Sequence, residues 1–333
     1  MAATTTLADV ARVAGVSTAT VSRFLSRTTT VAPETATRVQ KAMEELNYKP
    51  NRLARALRTN RTGQLGVVLP GFENQFFFEL LLNIEKAARK RGFGVLIAGS
   101  NTLPDTLAEL SRSQAVDGIL LASSSWPKAE PPSASIPMVC IDRPLPGARS
   151  SFVSVDNVNG AKVVTEHLLA QGAKTFGLLT GPMHIPSAQE RTKGFYEAIR
   201  NAATCIKEEE GDFTAQAGVD FVDSFNRQTE GLPEGLPEGL PDAIFAENDL
   251  MAAGVLSRLT ETNQKALVAG FDGLTSTTQL YPRITTLVQP QEQLAQLAVD
   301  KLIAAVNGET ETEQVYLPGK LLVGDTTIKG IVK

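Results

Sequence analysis

A repeated alternation of short apolar runs with amphipathic stretches constrains this chain more than any other feature. The runs are LGVVLP from Leu65, GFGVLIAGS from Gly92, DGILLAS from Asp117, MVCID from Met138, VSVD from Val153, TFGLLTG from Thr175, AIFAEND from Ala243 and ALVAGFD from Ala266. Each is short, apolar without a break and closed by a polar residue or glycine. Strands that read this way are buried on both faces, which happens in parallel sheets covered by helices. The intervening stretches supply the helices: Phe78, Leu81, Ile84 and Ala88 recur at helical spacing, and Gly160 to Ala170 reads as a second example. A chain of 333 residues with 42% hydrophobic side chains can fill more than one core. The strands are too many for one compact half, and a break after Asp156 divides them into two similar α/β lobes with a cleft between.

In parallel sheets ligands bind at the carboxyl ends of the strands. The polar residues there are Asp142, Arg143, Asp156, Asn248, Asp249 and Asp272. Carboxylate, amide and guanidinium groups together supply the fixed acceptors and donors that vicinal hydroxyls need. The same residues have plainer uses: Asp156 and Asp249 suit helix caps, and Asp142 with Arg143 suits a structural ion pair.

The first 62 residues differ from the rest in charge. They hold ten Lys/Arg against four Asp/Glu, a net of +6, while the remainder holds 22 against 32 and nets -10. A basic head suggests a polyanionic partner, because neutralising phosphates releases counterions, and an acidic body is repelled from the same duplex. In the head, Thr6 and Asp9 fit a capping box for a helix from Leu7, with Leu7, Val10, Ala11 and Ala14 on one face, and Gly15 ends it. Ser17 caps a second helix, Thr18 to Leu25, whose Val21, Phe24 and Leu25 point inward and whose Thr18, Ala19, Ser22 and Arg23 point outward. A third helix follows Pro33, with Val39, Ala42, Met43 and Leu46 closing a small core. Two short helices around an Ala-Gly-Val turn spell helix-turn-helix, leaving the second helix free to enter a major groove.

KPNRLARALRTNRT, from Lys49, carries five Lys/Arg around a few apolar residues and is too polar to fold alone, so it reads as a linker that orders on DNA. Leu57, flanked by arginines, is the candidate wedge for a minor-groove base step.

Several classes are excluded. The chain has neither the apolar core of a signal peptide nor a run long enough for a membrane span, so the expected compartment is the cytoplasm. Cys140 and Cys205 stand far apart and outside metal-ligand spacing, so no disulfide or zinc site is expected. Walker, zinc-binding, GxSxG and GxGxxG motifs are absent, so neither catalysis nor a cofactor is expected. His167 reads as structural, and His184 lies near enough to a strand end to touch a ligand. The repeat GLPEGLPEGLPD from Gly231 reads as an exposed loop.

TLADVARVAGVSTATVSRFL, RVQKAMEELNYKPNRLARALR and TGQLGVVLP, in this order, closely resemble the lactose-repressor (LacI/GalR) family. The resemblance implies a helix-turn-helix domain over 1–48, a hinge helix over 49–63, and a body over 64–333 built like a periplasmic binding protein and crossed three times. Its first lobe spans about 64–156 plus 287–318, its second about 157–286 plus 319–333. Thr18, Ala19 and Arg23 are then the base-reading residues, with Ser17, Thr20 and Ser22 nearer phosphates. Leu7, Tyr48, Asn51, Ala54 and Leu57 complete the DNA-contacting set. Thr18 and Ala19 offer only a hydroxyl and a methyl, so Arg23 is the strongest reader, toward guanine. Ala32 stands where the family often has a phosphate-binding serine.

For the cleft, the resemblance implies an effector site of Phe76, Phe77, Asp142, Arg143, Arg191, Phe213, Asn248, Asp272 and Gln289. The expected effector is a small sugar or polyol, such as a pentose or inositol. The expected partner is a pseudo-palindromic double-stranded operator, held by a homodimer or a tetramer. Gly324 and Asp325 stand where the family's ending often carries Arg-x-Ser, so that arginine's contacts are absent or replaced. Two rival readings stay open: a regulator answering mainly to a protein co-regulator, and a sugar-acting enzyme with an accessory DNA-binding head.

Overall fold

The computed structural model describes residues 5–26, 31–48, 61–71, 74–99, 103–122, 136–144, 150–227, 239–279 and 281–328. The chain divides into two compact units, Met1–Thr62 and Gly63–Lys333. The hinge residues Asn51, Ala54 and Leu57 and most of the Gly-Leu-Pro-Glu repeat lie outside the described residues.

Among the described residues the head has three helices: α1 Leu7–Ala14, α2 Thr18–Ser26 and α3 Pro33–Glu45. Thr6 and Asp9 form the capping box of α1, and Gly15 ends it in the left-handed conformation at φ 63°, a geometry glycine adopts without penalty. Ser17 Oγ accepts from Thr20 N at 3.1 Å and starts α2. Val10, Ala11, Ala14, Val21, Val39 and Ala42 form the core, with Leu7, Phe24, Met43, Leu46 and Tyr48 packed around it. Ala32, before α3, makes no side-chain cap bond.

Among the described residues the body holds two six-stranded sheets. The first contains β1 Gln64–Leu69, β2 Gly94–Gly99, β3 Gly118–Leu121, β4 Met138–Ile141, β5 Ser151–Val155 and β11 Gln314–Leu317. Its order is β11-β5-β4-β3-β1-β2, all parallel. The second contains β6 Thr175–Thr180, β7 Thr204–Glu210, β8 Ala243–Ala246, β9 Leu267–Asp272, β10 Thr285–Val288 and β12 Lys320–Leu322. Its order is β12-β10-β9-β8-β6-β7, parallel except for β12 against β10.

Helices cover both faces of each sheet, and the alternation of strand residues explains how. In the first lobe Leu65, Val67, Leu69, Val139 and Ile141 join a core with α4 Gln75–Lys90 and α10 Gln291–Val306. Their neighbours Val68, Ile119, Leu121 and Cys140 join another with α5 Leu103–Ser113. In the second lobe Phe176, Leu178, Phe245 and Phe271 face α6 Asn157–Ala170 and α7 Pro186–Ile199. Leu179, Ile244, Ala246 and Val268 face α8 Ala215–Arg227 and α9 Asp249–Glu261. Side chains of period two on strands buried on both sides give this division.

The chain crosses between lobes after Val155, after Val288 and after Leu317. The second crossing follows β10, a little later than residue 287, because Thr285–Val288 pairs with β9 in the second sheet. Helix α6 begins at Asn157 rather than Gly160, since Asp156 caps it by accepting from Asn159 N at 2.9 Å. The buried face of α4 is set by Phe77, Leu81, Ile84 and Ala88, while Phe78 is 48% exposed, which corrects its expected inward position. Among the described residues no helix is long and apolar enough to cross a membrane.

Candidate functional site

The parallel strands deliver their carboxyl ends to one cleft between the lobes. An inner recess of about 20 Å³ is lined by Phe76, Phe77, Asp142, Arg143, Arg191, Phe213, Asn248, Asp272 and Gln289, joined by Asn74 and Ser187. An outer cavity of about 550 Å³ shares Asn74, Phe77, Arg143 and Phe213 with it and reaches Pro70 and His184. The recess holds about one water's volume, whereas the outer cavity is ligand-sized.

All nine expected cleft residues therefore meet in one place. Three of them carry the backbone at positive φ: Asp142 at 67°, Phe213 at 66° and Asp272 at 124°. The other non-glycine residues in that region, among those described, are three asparagines and Gln114, and aspartate shares asparagine's tolerance, so Phe213 is the costly one of the three. A phenylalanine held there marks a constraint at the cleft. At the end of β6 a Cβ on Gly181 would fall 2.0 Å from the Phe213 ring, so only glycine lets that ring reach the recess.

Polar groups of the second lobe are tied to one another. Arg191, 4% exposed, donates from Nε to Asn157 Oδ1 at 2.9 Å and from Nη1 to the Glu247 carbonyl, and lies 3.6 Å from Asp272 Oδ1. Its guanidinium stacks 3.9 Å from the Phe271 ring centroid. Gln289 Nε2 donates to Asp272 Oδ1 at 2.8 Å, and Asn248 Nδ2 donates to the Phe213 carbonyl at 3.0 Å. Asn248 also caps α9 through Met251 N, so Asp249 is not the cap. Asp249 instead accepts from Leu274 N and the Thr277 and Thr286 hydroxyls, pinning the loop that follows Asp272.

The first lobe differs. Arg143 Nε lies 3.2 Å from Asp142 Oδ2, and its guanidinium sits 5.9 Å from the Phe77 ring centroid. Both residues are more than nine-tenths buried, yet Asp142 Oδ1 and Arg143 Nε and Nη1 find no hydrogen-bond partner among the described residues, nor does Gln289 Oε1. Buried polar atoms are almost always paired, so four orphans in one recess are a site's signature.

Burial dominates the ionisation of the cleft. It pushes Asp272 up to about 8 against the opposing Arg191, Glu247 up to about 7, and Asp249 up to about 6. It pulls Arg143 below the usual guanidinium range, with Asp142 opposing the fall. Glu190 is also raised by burial.

The lobes touch beside the cleft, where Thr275 N donates to Glu79 Oε1 at 3.2 Å and Ser276 Oγ to Gln75 Oε1 at 2.5 Å. His167 pairs with Thr327 Oγ1 at 2.8 Å, away from the cleft, as its structural reading expected. Asp325 is 5% exposed and bonds Arg283 through Nε at 3.0 Å and Nη2 at 3.1 Å, so the ending holds an arginine rather than supplying one.

In the head, Ser17, Thr18, Ala19 and Arg23 are exposed and Thr20 and Ser22 half-buried, so α2 presents a small, polar face. Leu7 and Tyr48 are half-buried against the head core.

Sequence reasoning missed Asn74, Ser187 and Asn157. Asn74 caps α4 through Phe76 N at 3.0 Å, so its own signal is that of an ordinary cap. Asn157 gave a weak signal, a second polar residue directly behind a buried strand.

A helix-turn-helix head carried with a two-lobed cleft body defines a DNA-binding regulator with a sensor domain of periplasmic-binding-protein type. Residues 6–51 match the model of bacterial regulatory proteins of the lacI family, and residues 165–327 match that of periplasmic binding protein-like domains. The chain is 33% identical to the ribose operon repressor of Halalkalibacterium halodurans over 98% of each chain. It is 29% identical to the HTH-type transcriptional repressor PurR of Haemophilus influenzae, over 93% of this chain and 94% of that one. The crystal structure of the lac repressor dimer bound to operator and the anti-inducer ONPF aligns with 98% of this chain and 100% of that one, at 27% identity and a TM-score of 0.80. The chain belongs to the LacI family of bacterial transcriptional regulators. It is a DNA-binding repressor with an effector-binding body, and not an enzyme.

Proposed function

We propose that the cleft binds a pentose or similarly compact polyol, and that this effector sets the grip of a dimer on a pseudo-palindromic operator. The observation that carries the reading is the set of four buried polar atoms, Asp142 Oδ1, Arg143 Nε and Nη1 and Gln289 Oε1, that have no hydrogen-bond partner among the described residues. A polyol's hydroxyls both donate and accept, so one small molecule satisfies a carboxylate, a guanidinium and an amide together. Phe76, Phe77 and Phe213 supply the apolar surface for its C-H face. The inner recess is too small for a sugar as it stands, so entry requires the lobes to part and reclose. The ribose operon repressor's name supports the pentose class over larger sugars.

Lobe movement alters the spacing of two heads only if two chains are joined, as in the lac repressor dimer on its operator. Phe78 and Leu82 on α4, Ile97 on β2 and Tyr281 are 46–75% exposed and support such a contact. On DNA, Arg23 reads a base edge from α2, flanked by Thr18 and Ala19, while Ser17, Thr20 and Ser22 meet phosphates and Leu57 enters the minor groove.

A thermal-shift screen of pentoses, hexoses, inositols and purines on the full chain tests the effector class. Stabilisation by a pentose, absent in Arg191→Ala, is the expected result; stabilisation only by a purine, or by no small molecule, overturns it. For the head, Arg23→Ala is expected to weaken operator binding by about 1–3 kcal/mol and relax specificity at one base pair, as anisotropy titrations against substituted operators would measure.

A further inference from the structure

Arg191 is held by a residue that no motif marks. Asn157 stands at the first position of α6, two residues past Val155, where the chain first crosses between lobes. Its side chain is 1% exposed. Oδ1 accepts from Arg191 Nε at 2.9 Å, and Nδ2 donates to Glu190 Oε2 at 2.9 Å. Asp156 already caps the helix, so Asn157 is not needed to start it. Only an amide accepts from one neighbour and donates to the other here; an aspartate lacks the donor, and an alanine leaves Arg191 Nε buried and unpaired.

With Nε engaged by Asn157, Nη1 by the Glu247 carbonyl and the ring face by Phe271, the guanidinium plane is fixed. Nη2 is then the group Arg191 has left for a ligand. We propose that Asn157 is a positioning residue for effector recognition, orienting Arg191 from the lobe crossing so that closure and arginine alignment are one event. The proposal rests on the effector reading above. Glu190 completes the device: it is half-buried, and Asp142 of the first lobe bears on its ionisation from across the cleft.

The test uses the full chain and two independent readouts. Without ligand, the Arg191 Nε–H signal, assigned by its loss in Arg191→Lys, is followed by hydrogen exchange. Protection in the wild type and exchange at least about tenfold faster in Asn157→Ala are expected, with Asn157→Asp retaining protection because it keeps the acceptor. In calorimetric titrations with D-ribose, Asn157→Ala is expected to weaken binding roughly 10- to 100-fold. Asn157→Asp is expected to bind more tightly at about pH 5.5 than at about pH 8, because its carboxylate abuts Glu190 and one of the two must take a proton. A merely structural role would weaken both variants alike with no new pH dependence. Unprotected Nε–H in the wild type, or wild-type affinity in a folded Asn157→Ala, overturns the proposal. If the wild type binds no ribose while Arg191 protection depends on Asn157, the effector class fails and the positioning role stands.

Discussion

The two walls of the cleft are built in opposite ways. The second lobe holds its polar groups in a closed network, in which Arg191 is engaged by Asn157, the Glu247 carbonyl and Asp272. The first lobe buries Asp142 and Arg143 beside each other and leaves one atom of the aspartate and two of the arginine without a hydrogen bond among the described residues. One wall is preorganised, and the other is completed by what binds. Preorganised groups lose little on binding, while unsatisfied ones gain most, so the pairing suits a site that closes on its ligand.

If this contrast holds, the two walls respond differently when buried charge is removed. Arg191→Met breaks the prebuilt network and leaves the buried Asn157 Oδ1 and Glu247 carbonyl without their donor; a loss of about 3–5 kcal/mol in urea unfolding and no measurable effector binding are expected. Asp142→Asn combined with Arg143→Met removes both charges of a buried pair that the protein satisfies poorly, so stability within about 1 kcal/mol of the wild type is expected. The double variant's effector affinity is expected to fall roughly 10- to 100-fold by calorimetry. Equal destabilisation of the two variants would erase the contrast.

Titration sharpens it further. Asp272, Glu247 and Asp249 have folded pKa values near 8, 7 and 6, above the ordinary carboxylate range. A raised carboxylate favours the fold while protonated, so its contribution is fullest below about pH 4 and is lost as pH climbs through these values. The ligand-free melting temperature is therefore expected to fall between about pH 5.5 and 8.5, and Asp272→Asn to flatten the upper part of that fall. Asp9 and Asp325 are lowered by hydrogen bonds, so their contribution is lost only in acid. The smallest expected effect is at the rim: His184→Ala, on an exposed residue of the outer cavity, should change effector affinity by less than about threefold.

The sheets were legible because unbroken apolar runs ending in polar residues have one structural solution, and Asp142, Asn248 and Asp272 were legible with them. Strand β7, TCIKEEE, was not: as an edge strand it is only partly buried, and its acidic residues hide the period. Phe78 was misplaced because a triple phenylalanine fits two helix faces, and packing rather than spacing picks one. Asn157 escaped notice because its function is to hold another side chain, a relation that appears only once α6 and α7 lie side by side. Asp249 was read as a cap because Asn-Asp before a helix leaves the choice open until the burial of both is known.

Operator binding by fluorescence anisotropy at fixed salt, with and without saturating D-ribose, weighs the link between cleft and DNA most directly. A change in dissociation constant of about 5- to 150-fold in the wild type, abolished in Arg191→Ala, is the predicted result. The same dissociation constant with and without sugar, in a protein shown to bind that sugar, would contradict it.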